Sequence, residues 1–248
     1  MAQDPQYHNL LTMHPWLAEL PPSVKEKLCR LLDLLLEYNK KFNLTAIRDP
    51  KQVVISHFAD SLAPLHLLPW FQMVQKAADI GSGAGFPILP LAACMSQCTW
   101  FGIESTAKKA GFIELVAREL ELGNVQVFTL RAETFAHSLH RGSFDVVTAR
   151  AVGSMSALCE IGLPLLRKGG RLVLFKTEAS LAHEVPSIEP VLKLLGGKLL
   201  DSVSYAFDGD RQRRILFVIE RAGEIPEKYP RKHKNPLKAP LSSGRIEE

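Results

Sequence analysis

The stretch Asp79-Ile80-Gly81-Ser82-Gly83-Ala84-Gly85-Phe86-Pro87 sets an acid, three alternating glycines, an aromatic ring and a proline in one run. Glycine tolerates φ > 0 and lets a ligand come close to the backbone. A glycine turn between a strand and a helix is where open α/β sheets bind nucleoside cofactors. The dinucleotide spacing is G-x-G-x-x-G, whereas Gly81, Gly83 and Gly85 follow G-x-G-x-G. Asp79 narrows the choice. A carboxylate there suits a cofactor with a sulfonium and an ammonium, and it would repel a pyrophosphate. Glu104, ending the next expected strand, stands where it can accept hydrogen bonds from both ribose hydroxyls. Together with a closing hairpin described below, these residues favour S-adenosylmethionine over NAD.

Two further positions speak about the adenine and the methyl acceptor. Arg131-Ala132-Glu133 follows the third expected strand, with the Ala132 amide and the Glu133 side chain as donor and acceptor for an adenine. Arg150-Ala151-Val152 ends the fourth, where the transferred methyl would lie. No Asn/Asp-Pro-Pro-aromatic motif stands there to align an exocyclic amine, and no Pro-Cys nucleophile; the nearest thiol, Cys159, falls inside the following helix. An arginine there suits an acceptor that needs neither a base nor a covalent bond. Guanine N7 is one: its lone pair lies in the ring plane and no proton leaves on methylation. Catalysis would then be alignment, with the nitrogen about 3 Å from the methyl carbon. An arginine fork can hold guanine O6 or a phosphate. Because the product ring is cationic, Arg150 is assigned to positioning.

The elements that must place these residues follow from periodicity. From Lys76 onward, strands are expected near residues 77–80, 99–104, 125–130, 145–149, 171–176, 198–207 and 214–220. Helices are expected near 87–95, 107–122, 154–163 and 179–195, with Pro87 in a first helical turn. Such alternation implies a mostly parallel sheet covered on both faces. The last two strands are separated only by the turn signal Asp208-Gly209-Asp210, so the seventh runs antiparallel to the sixth. The expected fold class is α/β: a Rossmann-like S-adenosylmethionine-dependent methyltransferase sheet with an N-terminal helical extension. Residues 1–75 form that extension, 76–224 the sheet domain and 225–248 a basic tail. Within the extension, residues 1–22 suggest a short docking helix and a linker. Ser23 and Glu26 read as a capping box. Leu28, Leu31, Leu32, Leu35 and Leu36 give a helical stripe reaching Lys41. A second helix opens at Asp49-Pro50 and puts His57 and Asp60 within reach of one face.

The chain has 248 residues, 46% hydrophobic and 23% charged, with a formal charge of +4. That supports a substantial core and is compatible with a polyanionic partner. No apolar run reaches the roughly 18 residues of a membrane span, and Met1–Asn9 lack a secretory signal. Cys29, Cys94, Cys98 and Cys159 have no zinc spacing and read as reduced core thiols, so no metal is expected. The reading is a soluble, cytoplasmic, monomeric protein with no membrane partner. The tail carries Lys228, Arg231, Lys232, Lys234 and Lys238 without an acid among them. It reads equally as a solvated segment or an RNA-contacting arm.

From about Tyr38 to Leu241 the chain resembles the RsmG (GidB) family of 16S rRNA guanine-527 N7-methyltransferases. The resemblance rests on Tyr38-Asn39, Asn43-Leu44-Thr45, Arg48, His57-Phe58-Ala59-Asp60-Ser61 and the turn Asp79–Pro87. It continues through Lys108-Lys109, Arg131, Arg150-Ala151, Lys176 and Lys228-Tyr229-Pro230-Arg231-Lys232. It implies S-adenosylmethionine as cofactor and 16S rRNA of the small ribosomal subunit as partner. Cofactor contacts would fall on Gly81, Phe86, Glu104, Ser105, Thr106, Ala132, Glu133 and Arg150, beside the Asp79, Gly83 and Gly85 already singled out. Arg150, Arg131 and Lys176 would stand at the catalytic end. Lys108, Lys109, Arg213, Arg214, Arg231 and Lys232 would meet RNA, and the His57/Asp60 pair would shape the site's edge. Two positions depart from the family pattern: Ile88 and Thr177 stand where glycine is usual. Rival readings are a methyltransferase on another RNA or a small molecule, and a non-catalytic RNA-binding ribosome-assembly protein; an intact Asp79, glycine turn and Glu104 speak against the last.

Overall fold

The computed structural model describes residues 5–209 and 213–242. Its seven strands form a sheet in the order β3-β2-β1-β4-β5-β7-β6: β1 Lys76–Ile80, β2 Thr99–Ile103, β3 Val125–Phe128, β4 Phe144–Arg150, β5 Leu166–Thr177, β6 Gly197–Tyr205 and β7 Arg214–Arg221. Contacts divide the chain into two compact units. One comprises Met1–Gln75 with Ser82–Thr129, the other Lys76–Gly81 with Leu130–Glu248.

The first unit begins with the helices α1 Pro5–Thr12, α2 Pro15–Ala18 and α3 Pro22–Phe42. On α3, Leu28, Leu31, Leu32 and Leu35 are fully buried, as their spacing requires. The Ser23/Glu26 capping box does not form. Pro22 takes the first helical position and Pro21 the cap, so Ser23 already lies inside the helix. The helix ends where Asn43 turns left-handed at φ 48° and its N–H reaches Asn39 O at 3.2 Å. Asp49 then caps α4 (Pro50–Val53), its carboxylate accepting the Gln52 N–H at 2.9 Å. A π-helical turn, Val54–Ala59, leads into α5, Asp60–Leu67. β2 and β3 pair in parallel, flanked by α6 (Ile88–Cys94) and α7 (Ala107–Glu119). Phe58, Phe71 and Trp100 are fully buried here, each contributing about 1.5 to 3 kcal/mol or more of transfer free energy.

In the second unit β1, β4 and β5 are parallel neighbours, and β7 lies antiparallel between β5 and β6. The expected closing hairpin is present, although Asp210 of its turn lies outside the described residues. β4 is buried along most of its length, as a central parallel strand must be, whereas β6 is largely exposed at the edge. A short helix, α8 (Ala132–Phe135), is too brief to show periodicity in the sequence. α9 spans Met155–Gly162, capped by Ser154. The single helix expected over 179–195 is instead α10 (Glu178–Glu184), a 3-10 turn at Val185–Ser187 and α11 (Ile188–Leu194). Pro186 is the cause: it has no N–H to donate, and its ring clashes with the preceding turn. Among the described residues no helix is long and apolar enough to cross a membrane.

Candidate functional site

In the first unit, the turn Ser82–Phe86 is stitched by Gly85 N and Phe86 N donating to Ser82 O at 2.7 and 3.1 Å. Gly83 and Gly85 adopt φ +56° and +88°, and a Cβ on Gly85 would strike Leu89 at 2.2 Å. Pro87 stands as the cap of α6 rather than inside its first turn, after a cis Phe86–Pro87 bond. Glu104 organises this turn. Its Oε2 accepts the Gly83 N–H at 2.9 Å and its Oε1 the Thr106 N–H at 2.7 Å, tying the glycine loop to the start of α7. Each carboxylate oxygen keeps a further lone-pair direction, so the acid can still receive ribose hydroxyls. Ser105, Thr106 and Lys108 are exposed beside it and Lys109 is half-buried.

The Phe86 ring is buried and stacks on His57, with centroids 4.6 Å apart and planes 14° from parallel. His57 Nε2 lies 2.8 Å from Thr45 Oγ1. The Thr45 backbone is held on both sides by the amide of Asn39, which is buried: its Oδ1 accepts Thr45 N–H and its Nδ2 donates to Thr45 O, each at 2.9 Å. The Asn-Leu-Thr and His-containing blocks thus form a chain of contacts ending on the glycine turn. The π-helical turn is what sets His57 on this line.

In the second unit, Asp79 is fully buried and its Oδ1 accepts the Thr148 hydroxyl at 2.7 Å across the β1/β4 pair. Gly81 sits at φ +66°, where a Cβ would meet Val152 Cγ2 at 2.6 Å; a side chain is excluded on both grounds. Arg150 ends β4, half-buried, followed by Ala151 in a left-handed conformation at φ +58°. Ala132 and Glu133 open α8, and Arg131 Nη2 donates to Glu133 Oε1 at 3.1 Å. Burial drives the Cys159 thiol far above its usual range, which keeps it protonated and inert. Burial likewise pushes Cys94 up to about 12.

The basic residues separate into engaged and exposed groups. Lys176 Nζ is held by Gly153 O and by Glu184. Arg231 donates from Nε and Nη2 to the two oxygens of Glu160 at 2.8 Å, and its own N–H reaches Oε1 at 2.9 Å. Glu160 is fully buried and the Arg231 side chain only 16% exposed, so Arg231 holds the tail to α9 instead of facing RNA. The tail is anchored at intervals as far as Leu241, with Ile225, Tyr229 and Leu241 buried. Arg213 is exposed and donates to Ser204 Oγ at 2.8 Å, Arg214 lies over the Phe207 ring, and Lys232 is exposed. Sequence reasoning missed Thr148, Glu160 and Glu184. A lone acid in the apolar run Met155–Gly162 is the signal that could have found Glu160; nothing comparable marks Glu184. Among the described residues no group of three or more His, Cys, Asp or Glu could hold a metal ion.

Comparison with known proteins adds the family. Residues 24–212 match the GidB family model, described as rRNA small subunit methyltransferase G. A Listeria welshimeri protein named ribosomal RNA small subunit methyltransferase G is 38% identical over 84% of this chain and 87% of its own. A Staphylococcus aureus protein of the same name is 36% identical over 97% of both chains. A Bacillus cereus O-methyltransferase solved with SAH shares the fold, with a TM-score of 0.54 at 17% identity, covering 77% of this chain and 91% of that one. The chain belongs to the GidB family, the rRNA small subunit methyltransferases G.

Proposed function

We propose that the protein transfers a methyl group from S-adenosylmethionine to N7 of a guanine in 16S rRNA of the small ribosomal subunit. The observation that carries this reading is 36% identity, over 97% of both chains, to a relative named for small-subunit rRNA methylation. Asp79, Gly81, Gly83, Gly85, Phe86, Glu104, Ser105, Thr106, Ala132 and Glu133 are assigned to the cofactor. S-adenosylmethionine supplies an electrophilic methyl carried on a sulfonium. Glu104 binds the ribose hydroxyls with the acceptor directions left over from Gly83 and Thr106. Phe86 lends an apolar face held by His57.

On the acceptor side Arg150 positions the guanine, assisted by Arg131. The acceptor nitrogen makes its new bond with an in-plane lone pair and loses no proton, so the chain need supply neither a base nor a nucleophile. The stretch Arg150–Met155 contains no acid, thiol or imidazole, and the Cys159 thiol is buried and protonated. Lys108 and Lys109 stand side by side in the first turn of α7, which itself contains no acid. That arrangement concentrates positive potential suited to RNA phosphates, which Arg213, Arg214 and Lys232 extend.

The test is mass mapping of small-subunit rRNA from cells lacking the protein, with the purified protein then added back alongside S-adenosylmethionine. N7-methylguanine should be absent at one site and restored on addition. A signal unchanged by the loss, or methylation at another atom, rules the reading out.

A further inference from the structure

Four hydrogen bonds outside regular helix and sheet pairing meet behind the loop that follows β4. Lys176, on β5, donates from Nζ to Gly153 O at 2.8 Å and to Glu184 Oε1 and Oε2 at 2.9 and 2.8 Å. Glu184 Oε2 also accepts the N–H of Met155, the first residue of α9. Three acceptors match the three N–H groups of the ammonium. The Lys176 side chain is 9% exposed. Lys176 is thus a fully committed donor and not a cation offered to solvent.

The loop it holds is the one that follows directly on Arg150, the last residue of β4. Ala151 takes a left-handed conformation, which a non-glycine residue keeps only where its surroundings impose it. Glu184 brings two constraints to one place. Its charge complements the positive end of α9, and it orients Lys176 toward the Gly153 carbonyl. From the tail, Leu237 packs so close that a Cβ on Gly153 would lie 2.6 Å from its Cδ2. Residues 150–155 are therefore clamped through Gly153 and Met155.

We propose that Glu184 is a positioning residue for the acceptor loop, and that Lys176 is its pin to that loop, not a contact to RNA phosphate. This rests on the rRNA methyl-transfer reading above. Removing the charge from either member frees Gly153 O and lets Arg150 drift. Misplacement by about 1 Å can cost on the order of 100-fold in rate.

The experiment compares the wild-type chain with Lys176→Met, Glu184→Gln and the double variant, each verified as folded by its circular-dichroism melt. Turnover is measured at saturating S-adenosylmethionine and small-subunit rRNA, and RNA affinity across a salt series. Each single variant should lose about tenfold or more in kcat, and the double should lose no more than the worse single. KM for S-adenosylmethionine and the salt slope should stay unchanged. Lys176→Arg keeps the charge but not the pin, so it should also be slow with an unchanged slope. A slope reduced by about 0.7 to 1 in Lys176→Met alone would make Lys176 a phosphate contact and overturn the proposal. Additive losses, unimpaired turnover in Glu184→Gln or full activity in Lys176→Arg would overturn it too. Wild-type protein inert on the rRNA would sink the functional reading and this inference with it; active wild type with unimpaired variants would sink this inference alone.

Discussion

Glu104 and His57 show how a side chain serves a site through its neighbours. Glu104 holds two backbone N–H groups before any ligand is considered, so the glycine turn and the start of α7 are already in place. His57 does for Phe86 what Glu104 does for Gly83. Its ring contact is of the kind worth about 0.5 to 1.5 kcal/mol. His57→Ala should therefore raise KM for S-adenosylmethionine about two- to tenfold while leaving kcat nearly intact, and His57→Phe should recover most of that loss by restoring the ring. Steady-state kinetics with the cofactor varied decides it; an unchanged KM in His57→Ala would detach the ring from the site. Asp79 and Glu104 were legible from residue type and place alone. The partner of Asp79 was not, because Thr148 carries no mark of its role until β1 and β4 pair and bring it within bonding distance.

Among the elements, α6 shows what a bulky residue does at position 88, where the resemblance led to the expectation of glycine. Ile88 is fully buried at the first helical position, and a Cβ on Gly102 of β2 would lie 3.1 Å from its Cδ1. The Ile88 side chain thus fills the space over a glycine on the strand. Ile88→Ala should lower stability by about 2 to 5 kcal/mol through the cavity it leaves, read from the midpoint of denaturant unfolding. A loss well under 1 kcal/mol would mean the helix closes onto the strand. Most helices were readable from period 3.6, because burial on one face imposes that repeat, and the inner strands from short, largely apolar runs, because both their faces are covered. What escaped was local. Pro22 pre-empted the Ser23 cap, Pro186 divided the helix after β5, and the four residues of α8 were too few to show a period.

For the molecule as a whole, the C-terminal segment is the clearest case of sequence and structure parting. Its charges suggested a solvated or RNA-contacting arm, yet Glu160 holds Arg231 in a buried pair and Ser156 donates to Leu241 O at 2.6 Å. Arg231→Ala should cost about 3 to 5 kcal/mol by stranding the buried Glu160 charge. Calorimetric unfolding measures that cost, and the salt slope for RNA should not change; a silent substitution would return Arg231 to the surface. The sequence by itself determined the α/β class, the closing hairpin, the glycine turn with its two acids and the family, because these are written in local spacing and residue type. Only the tertiary structure decided which cations are available. A lysine or arginine reads the same in the chain whether it faces solvent or a buried carboxylate. The carboxylates that claim Lys176 and Arg231 lie 8 and 71 residues away, so their choice of partner is settled by packing.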